Sequence, residues 1–479
     1  MAWALASPIG ASPDDDFHLD SIWCANAANT AACKPGTTPV TRVVPKAIHD
    51  SALCYAHKPR IGAACQAKAF TLDSTPTVVT DRGNFNNQYP PVYYATMSIF
   101  VSPDILGSVV LMRLVNILVL IGMTTALFWL LPRERRPALI WGWILSTVPL
   151  GLFLLASNNP SSWALIGIGS AWLALLGYFE TSGRRKVGLG ILFALAMIIA
   201  AGSRGDTAVY AVMSVGIVFI LTFRFEKKYF VSAILPVVFS LIAVYFYYSS
   251  LQRRVADIGL SNGGAGGGAP VRPDKLPSWA YNLFNVQDLW AGVFGGWSLG
   301  WLDTALPAIV VFGGVACFIG VAFVGMSRHW GRKSWSVVLV GLTLWLLPAY
   351  ILVQGGQRVG DTVQPRYLLP LFVLLAGLTV LTTGKKRLKF SSFQLVFVVG
   401  ALSIAQSIAL HTNIRRYVTG VDVYGWNLDS PISWWWSIPF SPMFVWIVGS
   451  AAFAALVAIL VREITGEQVT KRVTSTFKR

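Results

Sequence analysis

The chain has 479 residues, 54% of them hydrophobic and only 12% charged, with a mean hydropathy of +0.59. Soluble domains carry roughly 25% charged residues, so the composition excludes a soluble globular protein and points to an all-α polytopic membrane protein. A formal net charge of +17 would suit nucleic acid, but Lys and Arg also accumulate in the cytoplasmic loops of membrane proteins, and their positions decide between the two.

The chain opens Met1-Ala2-Trp3-Ala4-Leu5-Ala6-Ser7-Pro8, too short for a signal peptide or a span and similar to the last turn of a helix. Next comes Ser12-Pro13-Asp14-Asp15-Asp16-Phe17-His18-Leu19-Asp20. On a helix Asp14 and His18 share a face, while Asp15 projects about 100° from Asp14. A carboxylate here suits a general base toward a hydroxyl. Asp14 with His18 also suits a divalent cation, the one cofactor candidate. The competing reading is a capped first turn, where Pro and Asp are favoured.

Cys24, Cys33, Cys54 and Cys65 fall in the same segment. Their even number indicates two disulfides, with three pairings open; their spacing does not resemble a zinc motif. Asn86 to Tyr94 includes Pro90-Pro91-Val92-Tyr93-Tyr94, a turn feeding an interfacial helix with both tyrosines at headgroup level.

A span needs roughly 20 apolar residues. About eleven segments qualify, near 105–131, 138–156, 163–180, 187–201, 208–223, 229–249, 308–327, 335–353, 367–383, 391–411 and 443–461. One set of connections is short and basic: Arg133 to Arg136, Arg184 to Lys186, Arg224 with Lys227 and Lys228, Arg328 with Arg332 and Lys333, Lys385 to Lys389, and the tail 462–479. The other set is nearly free of Lys and Arg: 157–162, 202–207 and the long loops 250–307 and 412–442. The positive-inside rule puts the basic set in the cytoplasm and residues 1–104 outside a bacterial plasma membrane. The charge is thereby spread over one membrane face, which removes the case for nucleic acid. An external first loop needs an inserted element ahead of it, so a twelfth helix is expected upstream of Met1.

The external loops hold the remaining polar residues of interest. Asn158 and Asn159 read as a helix cap. Arg204 and Asp206 suggest a local ion pair. Gly263 to Gly268 is a flexible run rather than a phosphate loop. Trp297 and Trp301 flank Gly300 before Asp303, the one acid there able to reach a substrate, and Trp434 to Trp436 read as an interfacial anchor. Arg366 starts a span beside Arg358 and Asp361, and its planar fork suits phosphate. Arg113 lies inside a span without an evident partner, and Cys317 is a packing residue.

Pro13-Asp14-Asp15 with His18, then Tyr89-Pro90-Pro91-Val92-Tyr93-Tyr94 before the next helix, resembles the GT-C superfamily of membrane glycosyltransferases that use polyprenyl-phosphate sugars. More closely, these residues together with Gly300-Trp301-Leu302-Asp303-Thr304, Pro307 and Gln364-Pro365-Arg366-Tyr367-Leu368-Leu369-Pro370 resemble a bacterial membrane-protein family, domain of unknown function 2142, from residue 1 to about 415. Asp15 stands where the family usually has Glu, and Asp16 where it often has Pro. The resemblance implies an extracytoplasmic glycosyltransferase moving sugar from a polyprenyl-phosphate carrier to an envelope glycan or lipid acceptor. It implies Asp14 and Asp15 as catalytic, and His18, Tyr93, Arg204, Asp206, Asp303 and Arg366 as substrate-binding. The alternatives are a non-catalytic handler of lipid-linked glycans, such as a flippase, polymerase or ligase partner, and a structural or signalling membrane protein. Few polar residues lie inside the spans (Arg113, Asn116, Gln394 and Gln406), which disfavours a path for polar cargo through the membrane.

Overall fold

Backbone polar groups inside a bilayer must find partners within the chain, so long apolar runs become helices. The computed structural model describes residues 1–26, 32–66, 76–254, 276–326, 331–382 and 388–476. The Gly263 to Gly268 run, Arg328 and the Lys385-Lys386-Arg387 stretch lie outside the described residues.

The segment before the first long helix is not purely helical. It contains α1 (Ala2–Leu5), α2 (Asp15–Cys24), β1 (Lys34–Pro35), β2 (Arg42–Pro45), α3 (Lys46–His49), β3 (Thr77–Thr80) and α4 (Val92–Met97). The strands form one antiparallel sheet in the order β1-β2-β3, with Val43 facing Lys34 on one side and Val79 on the other. Two disulfides close it, Cys24–Cys33 and Cys54–Cys65, which settles the pairing.

The helical body follows: α5 (Ile105–Leu130), α6 (Arg136–Thr147), α7 (Leu150–Leu155), α8 (Ser161–Glu180), α9 (Gly183–Ala201), α10 (Gly205–Thr222), α11 (Lys227–Ser249), α12 (Ser278–Val293), α13 (Ala308–Gly325), α14 (Arg332–Gln354), α15 (Pro365–Val380), α16 (Ser392–Val418) and α17 (Pro442–Thr476). Among the described residues, eight helices are long and apolar enough to cross a membrane: α5, α8, α10, α11, α13, α14, α16 and α17. Three of the expected spans take other forms. The segment near 138–156 is broken into α6 and α7 at Pro149, whose ring and missing N–H interrupt a helix; α9 starts in Arg184, Arg185 and Lys186; and α15 is a shorter apolar helix of 16 residues. The loop 250–307 contains the amphipathic helix α12, and α16 continues through the start of the expected loop at 412.

Small residues let helices approach closely where lipid offers no hydrophobic drive to pack. A Cβ on Gly167 of α8 would sit 2.6 Å from Ala200 Cβ and from its backbone N in α9, and one on Gly377 of α15 would sit 2.4 Å from Trp172 in α8. Helix α8 is almost wholly buried, whereas α11 turns Val231, Ile234, Val238, Leu241 and Tyr245 outward, as a lipid-facing helix would.

Among the described residues the two sets of loops lie at opposite ends of the bundle. At the basic end Arg135 pairs with Glu180 at 2.6 Å and donates to Thr382 O, Arg332 donates to Phe223 O at 2.9 Å, and Lys333 donates to Gly325 O at 2.6 Å. At the other end the disulfide-bonded segment meets the loops before α8, α10 and α15.

Gly167→Val forces a side chain into the backbone of α9. Overpacking of this kind costs about 1–3 kcal/mol, so the detergent-solubilised variant is expected to unfold several degrees below the parent. Gly216→Val, where nothing lies within 4 Å, serves as the control and is expected to leave the melting temperature unchanged.

Candidate functional site

The segment 4–13 is mostly irregular and mostly buried, so each of its carbonyls needs a donor from elsewhere. Arg113 Nη1 donates to Ala4 O at 2.9 Å and Ser7 O at 2.6 Å, and its Nη2 to Pro8 O at 2.7 Å. Trp436 Nε1 donates to Leu5 O at 2.8 Å and Asn413 Nδ2 to Ala6 O at 2.9 Å. Tyr55 and Gln66 both reach Ile9 O at 2.6 Å, Trp301 Nε1 reaches Gly10 O at 2.8 Å, and Tyr417 Oη reaches Ala11 O at 3.4 Å. Pro13 O accepts from Asn159 Nδ2 at 2.8 Å and Arg366 Nη1 at 3.1 Å. Arg113 thus has its partners: three carbonyls, with Asp15 among the charges it feels. Trp301 and Trp436 are donors to this segment, beyond any belt or sugar-stacking role.

This grip delivers Asp14 in the left-handed conformation, φ 60° and ψ 21°, immediately before α2. Such a conformation is uncommon for a residue with a Cβ and persists only where its surroundings fix it. It turns Asp14 and Asp15 to opposite fates. Asp14 keeps a side chain 38% exposed and meets two guanidinium groups: Arg366 Nη2 at 2.5 Å and Arg82 Nη2 at 3.5 Å. Burial alone would raise its pKa, but the guanidinium groups of Arg366 and Arg82 outweigh it and hold the carboxyl down at about 2. Asp15 is fully buried, with one oxygen on Ser12 N at 3.0 Å and the other, Oδ1, without a hydrogen-bond partner. Burial pushes its pKa up to about 7 against the pull of Arg113. Asp15 thus sits in the core beneath Asp14, whereas the expected second catalytic carboxylate needed a side chain open to a substrate.

The other residues singled out in the sequence divide likewise. His18 is buried, with Nδ1 2.9 Å from Tyr94 Oη. Burial first, and then Arg366, Arg204 and Arg82, push its pKa well below the usual value against the pull of Asp14. The ring is neutral at pH 7. Arg204 and Asp206 form a two-pronged ion pair, both contacts 2.9 Å, and the guanidinium lies over the rings of Tyr367 at 4.6 Å and Tyr89 at 5.7 Å. Tyr93 and Tyr94 are buried rather than at a headgroup surface; Tyr93 packs edge-on against Trp163 at 5.4 Å. Asp303 is not free for a substrate. Its carboxylate is buried against Arg416 at 2.8 Å, and Arg416 also donates to Tyr55 O, tying the Cys54–Cys65 segment to α16. Arg358 lies over the Tyr281 ring, and its backbone N–H donates to Asp361. Among the described residues no three His, Cys, Asp or Glu side chains gather to hold a metal ion; Asp14 is engaged by arginines instead of joining His18 around a cation.

Arg82 carried no signal in the sequence. It sits in the turn after β3 and also binds Asp16, with a contact of 2.9 Å from Nη2. Tyr89 and Tyr367 stood inside the two proline-containing motifs, where neither was given a role of its own. Together Asp14, Arg82, Arg204, Arg366, Tyr89 and Tyr367 surround one spot at the N-terminus of α15. Beside it lies a small cavity of about 20 Å³, lined by Leu150, Phe153, Trp297, Leu302 and Pro365 and also by Arg366.

The family model described as predicted membrane protein, DUF2142, matches residues 1–375. The chain belongs to this family. The DUF2142 match takes in Asp14, Asn159, Arg204 and Arg366 and ends somewhat short of the 415 or so residues expected from the motifs. No curated protein and no solved structure matches the chain.

In the unfolded chain an Asp such as Asp15 titrates near 3.8. The folded protein prefers Asp15 protonated, so its contribution to stability is complete below 3.8 and is lost as pH rises through about 7. Asn reproduces the protonated acid. Asp15→Asn is therefore expected to raise the melting temperature relative to the parent by a few degrees more at pH 8 than at pH 5, as read by thermal unfolding in detergent.

Proposed function

We propose that this DUF2142 protein is an extracytoplasmic glycosyltransferase of a bacterial plasma membrane, with the disulfide-bonded segment outside and the basic loops in the cytoplasm. The donor is a polyprenyl-phosphate sugar and the acceptor a hydroxyl of an envelope glycan or lipid. The observation that carries this reading is Arg366 at the N-terminus of α15, directly beside the partly exposed Asp14. A helix N-terminus favours anions, a guanidinium favours phosphate, and the Nε–H of Arg366 is buried without an acceptor among the described residues.

In this reading the acceptor oxygen attacks the anomeric carbon. The bond from that carbon to the phosphate oxygen breaks, and its electron pair leaves with the polyprenyl phosphate. The hydroxyl proton passes to Asp14. Arg366 stabilises the charge that develops on the phosphate, and the Tyr89 and Tyr367 rings beside Arg204 offer apolar faces for a sugar.

Asp14→Asn and Arg366→Gln are each expected to lower transfer by about 10²-fold or more. The measurement is envelope glycan in cells, with the protein quantified in the membrane. Unchanged glycan with normal protein levels defeats the reading, as does co-purification of ordinary phospholipid alone when the bound lipids are identified by mass spectrometry.

A further inference from the structure

As it stands, Asp14 is a poor base, because a carboxylate held down by two guanidinium groups has little affinity for a proton. The geometry also shows which contact can give way. Arg204 grips Asp206 with two parallel bonds of 2.9 Å. Arg366 grips Asp14 through Nη2 alone, while Nη1 holds Pro13 O and Nε has no acceptor. Asp14 in turn has a second cation in reach, Arg82 at 3.5 Å, and a partly open side chain. Asp14 also stands next to Pro13, which lines the small cavity together with Arg366.

We propose that Asp14 occupies on Arg366 the place of the donor's phosphate, and that the donor displaces it toward Arg82, so that donor binding creates the base. This rests on the glycosyltransferase reading and adds an order of events. Before the donor arrives, Arg366 and Asp14 neutralise one another and the acceptor meets no base. When a phosphodiester takes Arg366, Asp14 loses its closest cation and gains a neighbouring negative charge, and both changes raise its proton affinity. The carboxylate then accepts a hydroxyl proton only with the donor seated.

Exchange makes Asp14 a competitor of the lipid phosphate as well as its catalytic partner. The test is the affinity of the full chain in nanodiscs for undecaprenyl phosphate, compared among the parent, Asp14→Asn and Asp16→Asn. Asp16 carries the same charge nearby but binds Arg82 and not Arg366. Asp14→Asn is expected to bind at least about tenfold tighter than the parent, while Asp16→Asn changes affinity less than about threefold, because a charge further from Arg366 competes less. In parallel titrations with inorganic phosphate and with phosphatidylglycerol, the freed Arg366 is expected to give a smaller gain than with undecaprenyl phosphate. Equal binding by parent and Asp14→Asn overturns the exchange and leaves the glycosyltransferase reading standing. Equal gains in both variants reduce the effect to net charge and overturn it too. A gain confined to inorganic phosphate or to phosphatidylglycerol overturns the assignment of the occupant. Absence of undecaprenyl phosphate binding in all three proteins removes both the exchange and the donor reading. Thermal unfolding of each variant shows that it is folded; should Asp14→Asn fail to fold, Asp14→Ser carries the same comparison.

Discussion

The site depends on one constraint: an irregular stretch of backbone buried in protein must have every carbonyl satisfied. Irregular backbone at membrane depth is tolerated only where protein or a cavity supplies its partners. Here the partners of residues 4–13 come from α5, α16, the loops before α8 and α13, the disulfide-bonded segment and Trp436. Arg113 alone fixes three of the carbonyls, and together the donors leave the chain little freedom. The result is a peptide held like a strand in a sheet, but by side chains, with Asp14 at its end.

That rigidity explains how two adjacent carboxylates acquire opposite characters. The left-handed turn at Asp14 directs one outward to Arg82 and Arg366, and the other inward toward the neighbourhood of Arg113. Without the turn the two would differ by about 100° on a single helix and share much of their surroundings. Environment, rather than residue type, sets which carboxylate ionises. The aromatic rings add to this. Phe17, Tyr89 and Tyr94 pack around His18, keeping it neutral and beneath the site instead of in it.

The helical body was legible because long apolar runs have few alternatives in a membrane. Its interruptions were less so: Pro149 breaks a segment that hydropathy reads as continuous, while Pro236, Pro348 and Pro370 sit inside helices that carry on through them. The number of disulfides could be counted, but their pairing depends on which loops meet. Asp14 and Arg366 stood out through the motifs they occupy. Their contact spans 352 positions of sequence, and no local pattern encodes a distance of that kind. The burial of Asp15 and Asp303 was not legible for a common reason, since sequence gives the charge of a residue and not which way it faces. Arg82 lay unnoticed between Asp81 and Gly83 in a turn that composition marks as ordinary.

The grip on residues 4–13 also bears on how the protein is made. Leu5 and Ala6 wait for Trp436 and Asn413, which leave the ribosome more than four hundred residues later. The disulfide-bonded segment has its cysteines close together in sequence and is able to fold early, as local contacts close fastest. Its docking through Arg416 and the seating of the peptide before Asp14 come only after α16 has been inserted. The part of the site synthesised first is thus completed last, and a chain stalled before α16 would carry Asp14 without the surroundings that set its chemistry.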